Sequence, residues 1–242
     1  MGKFGKLAGV AAIALGASIC ALPAQAAVNL ELGLAIDGSG SMSVNEFNLQ
    51  KQAYINVLSD TSVLARDGTV AIGVKVFSNG ITNVFAMAAI TNANFSALIT
   101  ALTNMTRPGD DTNITGVISA FNTEITTNGI DSVRRLIDIS TDGENTVGTT
   151  TALNNARDAA NAAGITINCI GIGQNCDDVS QGPDSFTMRA DDFDDFEDAL
   201  RRKIVREVHG AVPEPMTWIM MIGGFALVGF SMRRRNVKVS FA

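Results

Sequence analysis

Leu30-Glu31-Leu32-Gly33-Leu34-Ala35-Ile36-Asp37-Gly38-Ser39-Gly40-Ser41 is the stretch on which the reading of the whole chain turns. A short apolar run ends in an aspartate and a loop of alternating glycine and serine. Ser43-Val44-Asn45-Glu46 follows as a capping box and opens a helical stretch to about Leu58. The order is therefore strand, hydroxyl-rich loop, helix.

Beyond Leu58 the alternation of strand and helix continues. Val70, Ile72, Val74 and Val76 alternate within a strand from Thr69 to Phe77. Ile81 to Ala88 reads as a second strand, joined to it as a hairpin across Ser78-Asn79-Gly80. Phe95, Leu98, Ile99 and Leu102 recur at helical spacing, as do Ile114, Val117, Ile118, Phe121 and Ile125. Val133 to Ile139 is a strand, Thr150 to Ala163 an alanine-rich helix, and Ile165 to Ile172 another strand. A last helix is expected from about Asp191 to Val208, with Phe193, Phe196, Leu200 and Ile204 on one face. Strands that alternate with helices give an α/β fold: a central, mostly parallel sheet with one antiparallel edge strand and helices on both faces.

In such a sheet, ligands bind beyond the C-terminal ends of the strands. Three loops expected at that edge carry oxygen donors. The first holds Asp37, Ser39 and Ser41; the second is Ser140-Thr141-Asp142-Gly143; the third is Asp110-Asp111-Thr112-Asn113-Ile114-Thr115-Gly116. Carboxylates and hydroxyls, without His or Cys, suit a hard divalent cation such as Mg²⁺ or Mn²⁺.

Composition narrows the alternatives. The 242 residues carry a net charge of −6, a single His and three Cys. One His excludes His-rich metal centres, and three Cys exclude a four-cysteine zinc site. The acidic balance argues against nucleic acid as a partner, because a phosphate-backbone binder needs a Lys/Arg surplus. A mean hydropathy of +0.21 with only 17% charged residues means that apolar segments are concentrated somewhere. They lie at the two ends.

Lys3 and Lys6, an apolar run from Leu7 to Leu22, and Pro23-Ala24-Gln25-Ala26 together read as a secretory signal peptide, residues 1–26, cut by signal peptidase after Ala26. At the other end, residues 216–232 carry no charge and would span roughly 25 Å as a helix, enough for a thin bilayer. Arg233, Arg234 and Arg235 follow, so this end and the short tail 236–242 are expected to stay cytoplasmic. The domain between, residues 27–211, holds 12 of the 18 basic residues and 23 of the 24 acidic ones, for a net charge of −11. Cys169 and Cys176 fall within it. In an oxidising compartment they are expected to form a disulfide worth ~2.5 kcal/mol of chain entropy; two free thiols are the alternative.

Two resemblances sharpen these expectations. Asp37-x-Ser39-x-Ser41, a distant Thr112 and a distant Asp142 resemble the metal-ion-dependent adhesion site (MIDAS) of von Willebrand factor A (VWA) domains. The resemblance implies a Rossmann-like VWA fold. It implies Ser39, Ser41 and Thr112 as direct metal ligands, Asp37 and Asp142 acting mainly through water, and an open position for a partner's carboxylate. Thr115 competes with Thr112, because Asp110-Asp111 stands where many VWA domains have two glycines. Arg134 to Gly143, Ala163 to Asn168 and Phe196 to Lys203 resemble a bacterial secreted subfamily of these domains with no assigned function. The segment 212–235, with Pro213-Glu214-Pro215, Trp218, the apolar run and three arginines, is similar to a PEP-CTERM sorting signal. That likeness implies a Gram-negative bacterium that makes exopolysaccharide, and an exosortase that handles the tail.

The expectation is thus an exported, non-enzymatic binding module, held at least transiently in the membrane and then at the cell surface or in the extracellular matrix. Its partner is a protein or matrix ligand with an exposed carboxylate. A purely structural matrix role is one alternative. A metal-dependent hydrolase is another, disfavoured because no His lies near the motif to act as a base. The six acids between Asp191 and Asp198 are read as a helix N-terminus rather than a Ca²⁺ site, with Arg201, Arg202, Lys203 and Arg206 at the other end.

Overall fold

A computed structural model of the protein describes residues 28–210. The expected signal peptide and sorting segment, Pro213-Glu214-Pro215 included, lie outside the described residues. Among the described residues no helix is long and apolar enough to cross a membrane.

Eleven elements follow in the order β1 (Val28–Asp37), α1 (Val44–Ser59), β2 (Asp67–Phe77), β3 (Ile81–Thr91), α2 (Phe95–Thr103), α3 (Ile114–Thr127), β4 (Ser132–Thr141), α4 (Thr150–Ala162), β5 (Ile165–Ile172), β6 (Thr187–Ala190) and α5 (Phe196–His209). The strands form one sheet in the order β3-β2-β1-β4-β5-β6. Only β3 runs antiparallel, against β2; the pairings of β1 with β2 and β4, of β4 with β5 and of β5 with β6 are parallel. This is the α/β architecture that the alternating pattern predicts, with its antiparallel strand at the edge.

The period of two along β1 divides the core. Leu30, Leu32, Leu34 and Ile36 pack with Phe47, Tyr54, Val57 and Leu58 of α1, Leu98 and Leu102 of α2, and Phe196, Leu200 and Ile204 of α5. Ala35 faces the other layer, where α3 contributes Val117, Ile118 and Phe121 and α4 contributes Leu153, Ala156 and Ala160. Gly33 lies under Phe121. A Cβ there would come within 2.6 Å of that ring, so the strand can hold only glycine at this position without repacking. The one charge in the run, Glu31, is fully buried and satisfied: Asn128 Nδ2 donates to Oε1 at 2.6 Å and Ser132 Oγ to Oε2 at 2.5 Å.

The capping box forms in both directions. Ser43 Oγ accepts from the Glu46 N–H at 3.2 Å, and Glu46 Oε2 accepts from the Ser43 N–H at 2.6 Å. The structure adds one strand and corrects one boundary. Strand β6 carries no sequence pattern, because four residues at a sheet edge show no alternation. The last helix begins at Phe196, not Asp191. Asp192 instead accepts from the N–H groups of Asp194 and Asp195, a local turn that competes with helix.

Helix α5 is fixed to the sheet by a buried polar cluster. Lys203 Nζ donates to Asp138 Oδ1 on β4, and to Glu207 Oε1 one turn along α5 at 2.7 Å. Asn168 Nδ2 on β5 donates to the same Glu207 oxygen at 2.9 Å. Burial, and then the charge of Asp138, raise the Glu207 carboxyl from 4.5 to about 8, with Lys203 opposing. Tyr54 of α1 is buried close by, and its phenol is pushed up by burial and by the charges of Asp138 and Glu207. Glu207 therefore keeps in the folded state a proton that the unfolded chain releases. Its contribution to stability is full below pH 4.5 and is lost as pH rises through about 8. Urea midpoints measured from pH 5 to pH 9 are expected to decline more steeply in the wild type than in Glu207→Gln. Parallel curves would show that Glu207 does not titrate in this way.

Candidate metal centre

The loops that follow β1 and β4, and the loop that leads into α3, meet at the C-terminal edge of the sheet. Asp37 is the last residue of β1 and is fully buried. Its Oδ1 accepts from the Ser39 N–H at 2.8 Å, and its Oδ2 accepts from Thr141 Oγ1 at 2.6 Å. The chain then turns so that Ser39 Oγ and Ser41 Oγ lie 3.0 Å apart. Ser41 Oγ donates to Asp142 Oδ1 at 2.5 Å, across 101 residues of sequence. Gly38 lets this turn lie flat on its neighbours: a Cβ there would stand 2.7 Å from Pro108 Cδ and 2.8 Å from Val76 Cγ1.

Thr112 reaches the same place from the third loop. A Cβ built on Gly143 would be 3.5 Å from Thr112 Oγ1 and 3.6 Å from Ser41 Oγ, so the two hydroxyls border one small space that a glycine leaves open. The Thr112 backbone is anchored to the β4–α4 connection: its N–H donates to Thr146 Oγ1 at 2.8 Å, and its carbonyl accepts from the N–H groups of Thr146 and Val147 at 2.9 and 3.2 Å. Thr115 sits in the first turn of α3, where its N–H donates to Asn145 Oδ1. The Thr115 hydroxyl is buried without a partner among the described residues.

Several further groups brace the site. Gln50 of α1 donates Nε2 to the Asp37 carbonyl at 2.8 Å and accepts from Ser140 Oγ at 2.9 Å. Tyr54 OH in turn donates to Ser140 Oγ at 3.1 Å. Arg107 Nε donates to the Ser39 carbonyl at 3.1 Å. Asp110, at φ 78°, turns its carbonyl to accept from the Gly40 N–H at 2.6 Å, so its backbone rather than its carboxylate braces the serine loop. Ser140, Thr141 and Asp110 lie in the loops that the sequence already marks for oxygen donors. The others sit on elements whose approach to the loop only packing reveals.

The electrostatics suit a cation. Burial raises the Asp37 carboxyl to about 6, against the hydrogen bonds from Thr141 and Ser39, and the nearby Asp142 adds to the rise. Asp142 is also raised, chiefly by burial, with Arg107 opposing. Two carboxylates are thus held at a partly dry edge at a desolvation cost that a bound cation would offset. The donors are hydroxyl and carboxylate oxygens. Among the described residues no group of three or more His, Cys, Asp or Glu gathers as a metal cluster. The residues present fit a hard ion such as Mg²⁺ or Mn²⁺, with Ser39, Ser41 and Thr112 as candidate ligands and Asp37 and Asp142 beside them. Away from this edge, Cys169 of β5 and Cys176 are joined in a disulfide that closes the turn after that strand.

A family model described as a protein of unknown function (DUF1194) matches residues 27–212. The chain belongs to the DUF1194 family. No curated protein matches it in sequence. Among solved structures, the DUF1194 chain resembles proximal thread matrix protein 1 from the mussel byssus, with a TM-score of 0.59 and 15% identity. The match covers 74% of this chain and 46% of that one, so the DUF1194 chain spans under half the length of the mussel protein. It also resembles BatB from Bacteroides thetaiotaomicron, at TM-score 0.58 and 16% identity, over 75% of this chain and all of that one. A further structure of the mussel protein, described with a zinc-occupied MIDAS motif, aligns at TM-score 0.54 and 16% identity over 74% of this chain and 48% of that one. These likenesses establish the VWA-type, Rossmann-like fold of this DUF1194 protein.

Proposed function

We propose that the protein is an exported binding module that holds a divalent cation at Asp37, Ser39, Ser41, Thr112 and Asp142, and uses it to capture a carboxylate of a protein or matrix ligand. One observation carries the reading. Hydroxyls from two loops far apart in sequence, Ser41 and Thr112, border a single space beside Asp142, next to a buried Asp37. The zinc recorded at the MIDAS motif of the mussel relative supports a divalent cation there. When bound, that cation would supply an electrophilic open position for an anionic group. Mg²⁺ or Mn²⁺ is the expected ion, because the donors are all oxygen.

This chain's own residues perform the rest of the work. Thr141 and the Ser39 N–H orient the Asp37 carboxylate. Gln50 and Arg107 fix the carbonyls on either side of Gly38, which holds the serine loop rigid before any ligand arrives. Binding rather than catalysis fits the only imidazole as well: His209 lies at the C-terminal end of α5, on the opposite edge of the sheet, with Nε2 3.1 Å from the Ser62 carbonyl. Export by the segment 1–26, and sorting by an exosortase through Pro213-Glu214-Pro215 and the apolar run 216–232, complete the reading and rest on the sequence. The destination is the cell surface or the extracellular matrix.

The test is a capture experiment. The full chain, immobilised with Mg²⁺, is exposed to envelope and matrix extract of the producing cell. Retention of a carboxylate-bearing component is expected that is released by EDTA and absent with Asp37→Ala. Retention that ignores both EDTA and the substitution would favour a structural matrix role over metal-dependent binding.

A further inference from the structure

The edge of the sheet opposite the serine loop carries a second site. A cleft of about 640 Å³ opens between the start of β4, the start of β5, the chain that leads into β6, and the end of α5. Its size is that of a small-molecule pocket. Its charge runs against the rest of the protein, whose net charge is −6. Arg134, Arg135 and Arg206 line it, with Asp184 and Glu207 as its acids.

Two of the three arginines are held in a way that leaves their charge at the cleft. Arg134 Nη2 donates to the carbonyls of Glu207 and Val208 at 2.9 and 3.1 Å, which fixes the guanidinium without neutralising it. Arg206 lies 3.8 Å over the Phe186 ring, a stacked position that orients its fork and leaves the N–H groups at its edge. Arg135 is the exception, with Glu31 Oε2 3.6 Å from its Nε. The Glu207 side chain is fully buried, with its Oε1 accepting from Lys203 and Asn168, so it offers the cleft no side-chain charge to oppose the arginines. Asp184, Ser185 and Thr166 also line the cleft and can meet hydroxyl groups.

We propose that this cleft binds a small hydroxylated carboxylic acid, with its carboxylate between Arg134 and Arg206 and its hydroxyls toward Asp184, Ser185 and Thr166. The two-pronged donor geometry of guanidinium matches a carboxylate, and the acceptors in the same cleft select against a bare inorganic anion. The site is separate from the metal centre and does not depend on the function proposed for it.

D-Galacturonate is the probe, titrated into the isotope-labelled full chain in detergent micelles and followed by NMR. EDTA is present throughout, so that no cation at the serine loop can take the carboxylate. Saturable shifts are expected at Phe186 and Arg206, with little response to D-galactose, which lacks the carboxylate, or to inorganic phosphate. Arg206 is exposed, so Arg206→Gln should leave the fold intact while weakening binding roughly tenfold or more. Asp37→Asn should leave it unchanged. The proposal is overturned by galactose or phosphate binding as well as galacturonate, by the absence of saturable shifts, or by affinity that Arg206→Gln does not alter.

Discussion

Lys203→Met is expected to destabilise the domain by about 3–5 kcal/mol, the largest effect of any single side chain outside the apolar core. The reason is the position of the lysine. It is fully buried, and its ammonium is shared between Asp138 and Glu207, both also buried. Removing it leaves Asp138 without its cation in a dry interior, while Asp138 Oδ2 already lacks a hydrogen-bond partner among the described residues. The consequence reaches beyond α5, because the lysine ties that helix to β4 in the middle of the sheet. Urea denaturation of the variant should show the loss directly, and its Tm should fall by about 10 °C. The double substitution Lys203→Met with Asp138→Leu should recover most of the stability, since it removes both charges at once. If Lys203→Met lies within about 1 kcal/mol of wild type, the cluster is not a stabilising tie.

The second large effect is on the response to metal. Saturating Mg²⁺ at a hundred times its dissociation constant should stabilise the folded state by about 2.7 kcal/mol. For a domain of this size that is a rise of about 5–10 °C in Tm. Asp37→Asn should abolish the rise. Without metal the same variant should be as stable as wild type or more so, because a buried carboxyl already raised to about 6 is replaced by a neutral amide. The Asn carbonyl can still accept from the Ser39 N–H, and Thr141 Oγ1 keeps its bond to the Gly143 carbonyl at 2.8 Å. A variant that has lost the metal response but kept its apo stability separates binding from folding. Thr112→Val should weaken the response and Thr115→Val should not, since only Thr112 borders the space beside Ser41. Identical melting curves with and without Mg²⁺ in the wild type would remove the metal from the proposed function.

Much of this was legible in the chain. The apolar run of β1, the alternation of β2, the helical spacing in α3 and the Ser43–Glu46 box are local patterns, and local sequence encodes which face of an element is buried. The loop of Asp37, Ser39 and Ser41 was legible for the same reason: it sits within five residues at a strand end. Thr112 and Asp142 came from a resemblance, and the structure brings Thr112 to Ser41 without any local signal that would distinguish it from Thr115. Strand β6 and the start of α5 carry no such signal: an edge strand of four residues has no period, and the aspartates at 191–195 read as a helix N-terminus although Asp192 closes a turn.

The layers, the edge at which the oxygen donors gather, and the two apolar ends that explain the positive hydropathy are all set by the order of apolar and polar residues along a chain of fixed geometry. Only the tertiary structure decided which polar groups would meet. Lys203 and Asp138 are 65 positions apart, and each reads alone as an ordinary surface charge. Arg134 and Arg206 likewise share a cleft only because β4 and the end of α5 pack together. A buried charge is tolerated only where its partner is supplied by another element, and which element lies alongside is settled by packing, not by spacing in the sequence.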